Sequence, residues 1–283
     1  MSDIAVFMAA QQRWRRCAAI ALSCVLLQFG VPAIAGRSCD APQPPKAQTI
    51  ERAMNLAQRT QQALDASGAE VVVLARAGQD LRKYGLRYSH LGLAYRESDG
   101  HGGSVWRVLH KLNQCGTAES AIYRQGLGDF FLDDLWRFEA AWVVPTPAVQ
   151  HQLMAVLQDT AQAVQLHHKP YSMVSYVWGL TYQQSNQWAL ETMAMAVAPG
   201  SPGGISTRAQ AQSWLYAQGY QPTVLNIGAL TRLGARVSSA NVAFDDHPSA
   251  KRFSDHIETV TVDSMFAWMQ RAGLTTQAVV TLQ

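Results

Sequence analysis

The sequence is poor in charge. Only 15 % of its 283 residues are Asp, Glu, Lys or Arg, and the formal net charge is +3. Such a balance gives no electrostatic argument for nucleic acid as a partner. There is no glycine-rich phosphate loop, internal repeat or low-complexity tract, so no nucleotide cofactor and no solenoid is expected. Asp245-Asp246-His247 with Asp255-His256 is the one cluster of metal-ligand types, and its spacing follows no ligand motif. Adjacent Asp133-Asp134 reads as a solvated acidic pair, so no metal is expected either.

Long apolar runs and cysteines are also few. Arg13, Arg15 and Arg16 precede an apolar stretch from Cys17 to Phe29, followed by Ala33-Ile34-Ala35. That order of basic, apolar and small residues is the pattern of a secretory signal, and the apolar stretch is short of the roughly twenty residues that span a bilayer. Residues 1–35 are therefore expected to be a signal peptide. A single domain over residues 36–283, periplasmic or secreted, would then touch the membrane only through that signal during export. Removing three arginines and one aspartate leaves a net charge of about +1. Of the four cysteines, Cys17 and Cys24 leave with the signal, and Cys39 and Cys115 remain as the expected disulfide of an exported protein. Closing that loop would stabilise by up to about 4.5 kcal/mol in the chain-entropy account.

The rest of the chain alternates between helical and strand-like periodicity. Ile50, Met54, Ala57 and Leu64 recur at helical spacing and Gly68 stands at a helix end, which predicts a helix over 49–67. Strands are expected over 70–76, 85–95, 105–112, 140–144, 171–177, 222–227, 258–262 and 278–282, and further helices over 147–164, 185–197, 207–218 and 264–271, the last capped by Asp263. Ser98-Asp99-Gly100-His101-Gly102-Gly103 is a turn that folds the 85–95 and 105–112 segments into a hairpin. This mixture implies an α+β fold, an antiparallel sheet with flanking helices.

Two stretches carry chemistry. In Gly85–Tyr95, Leu91 and Leu93 share one parity and His90 the other, so His90 points off the sheet toward a neighbouring layer. A hairpin centred near His101 sets His90 across from Leu112, with His110 and Asn113 the nearest polar residues and either able to orient the imidazole. In Tyr182–Glu191, Ser185 falls at the N-cap or first turn of a helix, where unbonded N–H groups and the positive dipole end favour a nucleophile and a developing oxyanion. The same position suits a plain helix cap.

The blocks Gly-Leu-Arg-Tyr-Ser-His-Leu-Gly at 85–92, Tyr-Arg-Gln-Gly-Leu at 123–127, Tyr-Gln-Gln-Ser-Asn-Gln-Trp-Ala-Leu-Glu at 182–191 and Asp-His-Pro at 246–248 resemble a secreted bacterial family of unknown function, DUF2145. The resemblance spans nearly the whole chain after the signal. In that family cysteine commonly stands where this chain has Ser185. A strand histidine followed by a nucleophile at a helix N-terminus is similar to the permuted NlpC/P60 branch of the papain-like hydrolases. That likeness implies a papain-like arrangement, with Ser185 as nucleophile, His90 as base and Asn113 or His110 as the orienting group.

Two functions of different class follow as expectations. One is a hydrolase or acyltransferase on amide or ester bonds of the cell envelope. The other is a non-catalytic envelope protein whose cleft binds a peptide, peptidoglycan or a lipid. Serine is a poorer nucleophile than cysteine without its base, because almost no alkoxide exists near neutral pH.

Overall fold

A computed structural model describes residues 44–133, 135–200, 204–275 and 277–283. The expected signal peptide, Cys39 and Asp134 lie outside the described residues, so the disulfide pairing of Cys115 rests on the sequence argument.

A six-stranded antiparallel sheet organises the chain. Helix α1 (Ala47–Ala66) leads into β1 (Val71–Ala77), β2 (His90–Ser98), β3 (Ser104–Asn113) and β4 (Ser120–Gly126), and after the short helix α2 (Leu127–Phe131) comes β5 (Arg137–Val143). Helices α3 (Pro147–Gln158), α4 (Thr160–Gln165), α5 (Ser185–Val197) and α6 (Arg208–Ala217) follow. Then β6 (Thr223–Asn226), α7 (Ala229–Ser238), α8 (Ser249–Phe253) and β7 (His256–Thr259) form a side element, before α9 (Val262–Arg271) and β8 (Val280–Leu282). The sheet order is β4-β3-β2-β1-β5-β8, and β6 pairs only with β7.

The central strand explains the layering. β1 reads Val-Val-Val-Leu-Ala-Arg-Ala and is buried throughout, an apolar run that needs cover on both faces. Val71, Val73 and Ala75 join Leu91 and Leu93 against α3, α5, α6 and α9. Val72 and Leu74 join Ala94 and Val108 against α1 and α2. Strand parity thus assigns each residue of β2 to one layer or the other.

Several sequence expectations need correction. Residues 171–177 alternate like a strand but form turns, because loop carbonyls and a carboxylate take up the bonds a ladder would use: Met173 N donates to Asn241 O, Ser175 N to Ser172 O, and Tyr176 N to Asp246 Oδ2. The helix expected over 147–164 breaks at Asp159, whose carboxylate accepts from Ala161 N and Gln162 N and starts a second helix. The last helix is capped by Thr261 in a reciprocal capping box with Ser264, rather than by Asp263. Helices α7 and α8 were not foreseen.

Candidate active site

β2 and β3 are in register from Ser98↔Ser104 to Leu93↔Leu109, and then the ladder stops. Continued, that register would set His90 opposite Leu112; instead β3 leaves β2 and exposes the β2 edge at residues 89–91. The first turn of α5 fills this edge. Asn186 Oδ1 accepts from Leu91 N at 3.1 Å, and Asn186 Nδ2 donates to Ser89 O at 3.3 Å. One amide side chain therefore substitutes for a strand partner on either side of His90, and it belongs to the residue after Ser185.

The His90 ring projects into the layer containing α2. Its register partner on β1 is Arg76, and its ring lies 6.0 Å from that of Phe130. His90 Nε2 is 2.9 Å from His110 Nδ1, and His110 Nε2 is 2.7 Å from Gln125 Oε1. Gly92 makes room for this relay: a Cβ there would come within 2.5 Å of Val108 and 3.1 Å of the His110 Cβ. That gives a steric reason for glycine two residues after the histidine.

The relay has a direction set by chemistry. Gln125 Oε1 can only accept, so His110 Nε2 carries the proton and donates. A neutral His110 then presents a lone pair at Nδ1, and His90 Nε2 must donate to it. A neutral His90 is left with its lone pair at Nδ1. Burial, the Arg76 guanidinium and His110 hold His90 well below the usual histidine range. Burial and Arg76 push His110 down to about 4. Both rings are neutral near pH 7, as the relay requires. Arg76 itself donates to Phe130 O, pairs with Asp133 and lies 4.8 Å over the Phe130 ring.

Ser185 opens α5, as one of the two placements expected. The cap is Gln184, whose side chain accepts from Asn186 N at 3.0 Å. Ser185 is buried, and its Oγ lies 3.5 Å from Tyr171 Oη. Burial raises the Tyr171 pKa, so its phenol stays protonated. No hydrogen bond joins Ser185 to His90. The body of α5 packs Trp188, Ala189 and Met193 against the Leu91 and Leu93 face, whereas His90 projects from the other.

Of the two candidate orienting groups, His110 makes the contact. Asn113 serves the β3–β4 turn instead, donating to Thr117 O and Glu119 O and accepting from Asn241. Asp246 and His247 are also occupied structurally: His247 Nδ1 is 2.9 Å from Asp246 Oδ1, and Asp246 Oδ2 accepts from Tyr176 N. Among the described residues no group of three metal-ligating side chains is found. A groove of about 340 Å³ between α1, β3 and α2, lined by Met54, Gln58, Trp106 and Arg107, contains none of the candidate residues.

Sequence reasoning missed a second polar cluster beneath α5. Lys111 is fully buried and donates to His168 O and Gln183 Oε1, each at 2.7 Å. Burial chiefly, with Arg208 adding to it, pushes its amine down to about 6. Glu191 accepts from Arg208 Nε at 2.8 Å and from Gln212 at 2.8 Å, and Gln183 also donates to it. Strand parity was the available signal, since Lys111 falls on the core-facing parity of Leu109.

Residues 63–269 match the family described as an uncharacterized protein conserved in bacteria, DUF2145. No curated protein and no solved structure matches the chain significantly.

Proposed function

The chain belongs to the DUF2145 family, and we propose that it carries an acyl-transfer site acting on amide or ester bonds of the cell envelope. The observation that carries this reading is the directed relay Gln125–His110–His90. It leaves the free lone pair of a neutral imidazole on His90 Nδ1, on the residue between the two strand-edge groups that the residue after Ser185 bonds. A nucleophile at a helix start, a strand histidine and a second group fixing its tautomer form the constellation of a covalent acyl-transfer mechanism. The likeness to the permuted NlpC/P60 papain-like proteins belongs to the same proposal.

In that mechanism the Ser185 hydroxyl proton passes to His90 Nδ1 as Oγ adds to the substrate carbonyl carbon. The resulting oxyanion faces the amides that open α5, of which Asn186 N is already taken by Gln184. Collapse breaks the bond to the amine or alcohol, which leaves with the proton from His90. Water then releases the acyl group in a hydrolase, or a second amine or alcohol takes it in a transferase. The Oγ must first turn from Tyr171 toward the β2 edge.

One observation favours the second reading, a non-catalytic binding protein of the envelope. In the structure Ser185 Oγ is paired with Tyr171 and not with His90. Labelling with a fluorophosphonate probe separates the two. The acyl-transfer reading expects adduct on Ser185 and its loss in His90→Ala. Absence of adduct, or an adduct indifferent to His90, favours the binding protein.

A further inference from the structure

The surroundings of Lys111 suit an amine and not an ammonium group. Its side chain has no solvent exposure. Among the described residues two acceptors meet it, His168 O and Gln183 Oε1, each at 2.7 Å. A neutral amine has two N–H donors and both are used, whereas the third proton of an ammonium would find no acceptor. The charges count the same way. Glu191 is the carboxylate of this cluster, and Arg208 bonds both its oxygens, with Gln183 and Gln212 adding further bonds. A guanidinium keeps its proton at any ordinary pH, so of the two bases that share one carboxylate it is Lys111 that gives its proton up.

The other ionisable groups around the amine supply no counter-charge. His167 and His168, in the segment that leads to α5, are held below the usual histidine range, chiefly by burial, His167 at about 4. Tyr171 of the same segment keeps its phenol proton. On β4, Tyr123 stands across from His110 on the face away from Lys111, and Arg124 donates to Leu157 O beside the Tyr95 ring. Glu119 pairs with Lys169 at the surface. Burial first, and then Arg208, push the Lys111 amine down to about 6.

Gln183 connects the amine to the start of α5. Its side chain accepts from Lys111 Nζ and His168 N and donates to Leu166 O and Glu191, which uses every hydrogen-bonding position it has. Its backbone N–H donates to Pro170 O at 3.0 Å. The next residue, Gln184, caps α5, and Ser185 follows. A proton on Lys111 therefore sets an unmatched donor against the side chain that ties segment 166–170 to the cap, and the ammonium is accommodated when that segment opens and lets it reach water. Closed, the amine binds no proton until pH falls to about 6, whereas a hydrated lysine is protonated below about 10.5. Each unit by which pH falls between those values favours opening by up to about tenfold.

We propose that Lys111 is a proton switch: as a neutral amine it holds segment 166–170 and the α5 cap closed, and on protonation it releases them, and with them Ser185 and Asn186. The switch controls the site already described and does not require Ser185 to be a nucleophile. Lysine Cε signals of the full chain, followed by NMR from about pH 5 to about pH 9, should include one that titrates at least about two units below the ordinary lysine value and is lost in Lys111→Met. Hydrogen exchange at the amides of 166–169 and 183–187 should lose protection by up to about tenfold per unit from about pH 9 down to about pH 6 in the wild type. The loss should be absent in Lys111→Met, whose side chain fills similar space without binding a proton. A wild type in which no lysine titrates below about pH 8 overturns the proposal, whether or not the variant folds. The same pH slope in variant and wild type overturns it too. So does protection of these amides equal to that of β1 at every pH, which would make the event an unfolding of the whole chain. Neither readout involves turnover, so their failure leaves the acyl-transfer reading standing, and absence of a Ser185 adduct leaves the switch standing.

Discussion

His90 Nε2 lies 2.9 Å from His110 Nδ1, and because His110 is committed as a donor to Gln125, that contact fixes which nitrogen of His90 holds the lone pair. Replacing His110 by Ala removes the acceptor and frees the tautomer. The expected result is a loss of about 100-fold or more in fluorophosphonate labelling of Ser185, with partial recovery in His110→Asn or His110→Gln, whose amide oxygen still accepts. Equal labelling in His110→Ala and wild type would show that the relay does not act on Ser185.

The same pair makes stability depend on pH. Free histidine titrates near 6.5, whereas His110 in the fold is pushed down to about 4. Between those values the unfolded chain binds the proton and the folded chain does not, so stability rises with pH across that window. His110 alone should cost roughly 3 kcal/mol of stability as pH falls from about 6.5 to about 4. Urea denaturation at a series of pH values measures this, and His110→Gln should flatten the slope.

Asn186→Ala leaves Leu91 N and Ser89 O at the β2 edge without their partner. A loss of about 1–3 kcal/mol is expected for the unpaired groups. Labelling of Ser185 should fall by more than the stability loss explains, because the amide also sets the start of α5 against His90. Asn186→Asp keeps only the acceptor for Leu91 N and should lie between the two.

Much of this arrangement was legible in the sequence, for reasons that differ by element. A turn centred near His101 places His110 among the polar residues nearest His90, and the observed register, Ser98↔Ser104 to Leu93↔Leu109, has that centre. What the sequence left open was which of His110 and Asn113 makes the contact. Strand parity decides it: His110 shares the Val108 face and projects with His90 into the α2 layer, whereas Asn113 lies on the opposite parity with Leu109 and Lys111. The 171–177 segment misled because its alternation comes from side chains that bond loop backbone, not from a pleat. Lys111 and Glu191 were passed over because charged residues are ordinarily at the surface, and only packing reveals that α5 covers them.

Glu191→Ala tests whether that buried cluster holds α5 in place. It would leave the Arg208 guanidinium, with its side chain only 10 % exposed, without its counter-charge and with carbonyl acceptors alone, and would remove one acceptor each from Gln183 and Gln212. Removing one partner of a buried ion pair destabilises by about 3–5 kcal/mol. Thermal unfolding reads it, and a loss under about 1 kcal/mol would mean that water replaces the carboxylate.

The central claim, that His90 acts as a base toward position 185, is tested most directly in Ser185→Cys. The rate of alkylation by iodoacetamide against pH gives the thiol pKa, about 8.5 for an ordinary cysteine. The account predicts a thiol titrating well below that value at the α5 start, and a return to the ordinary value in Ser185→Cys with His90→Ala. A thiol with the same pKa and rate in both variants would contradict it, and Ser185 would then be a buried residue of the helix start hydrogen-bonded to Tyr171.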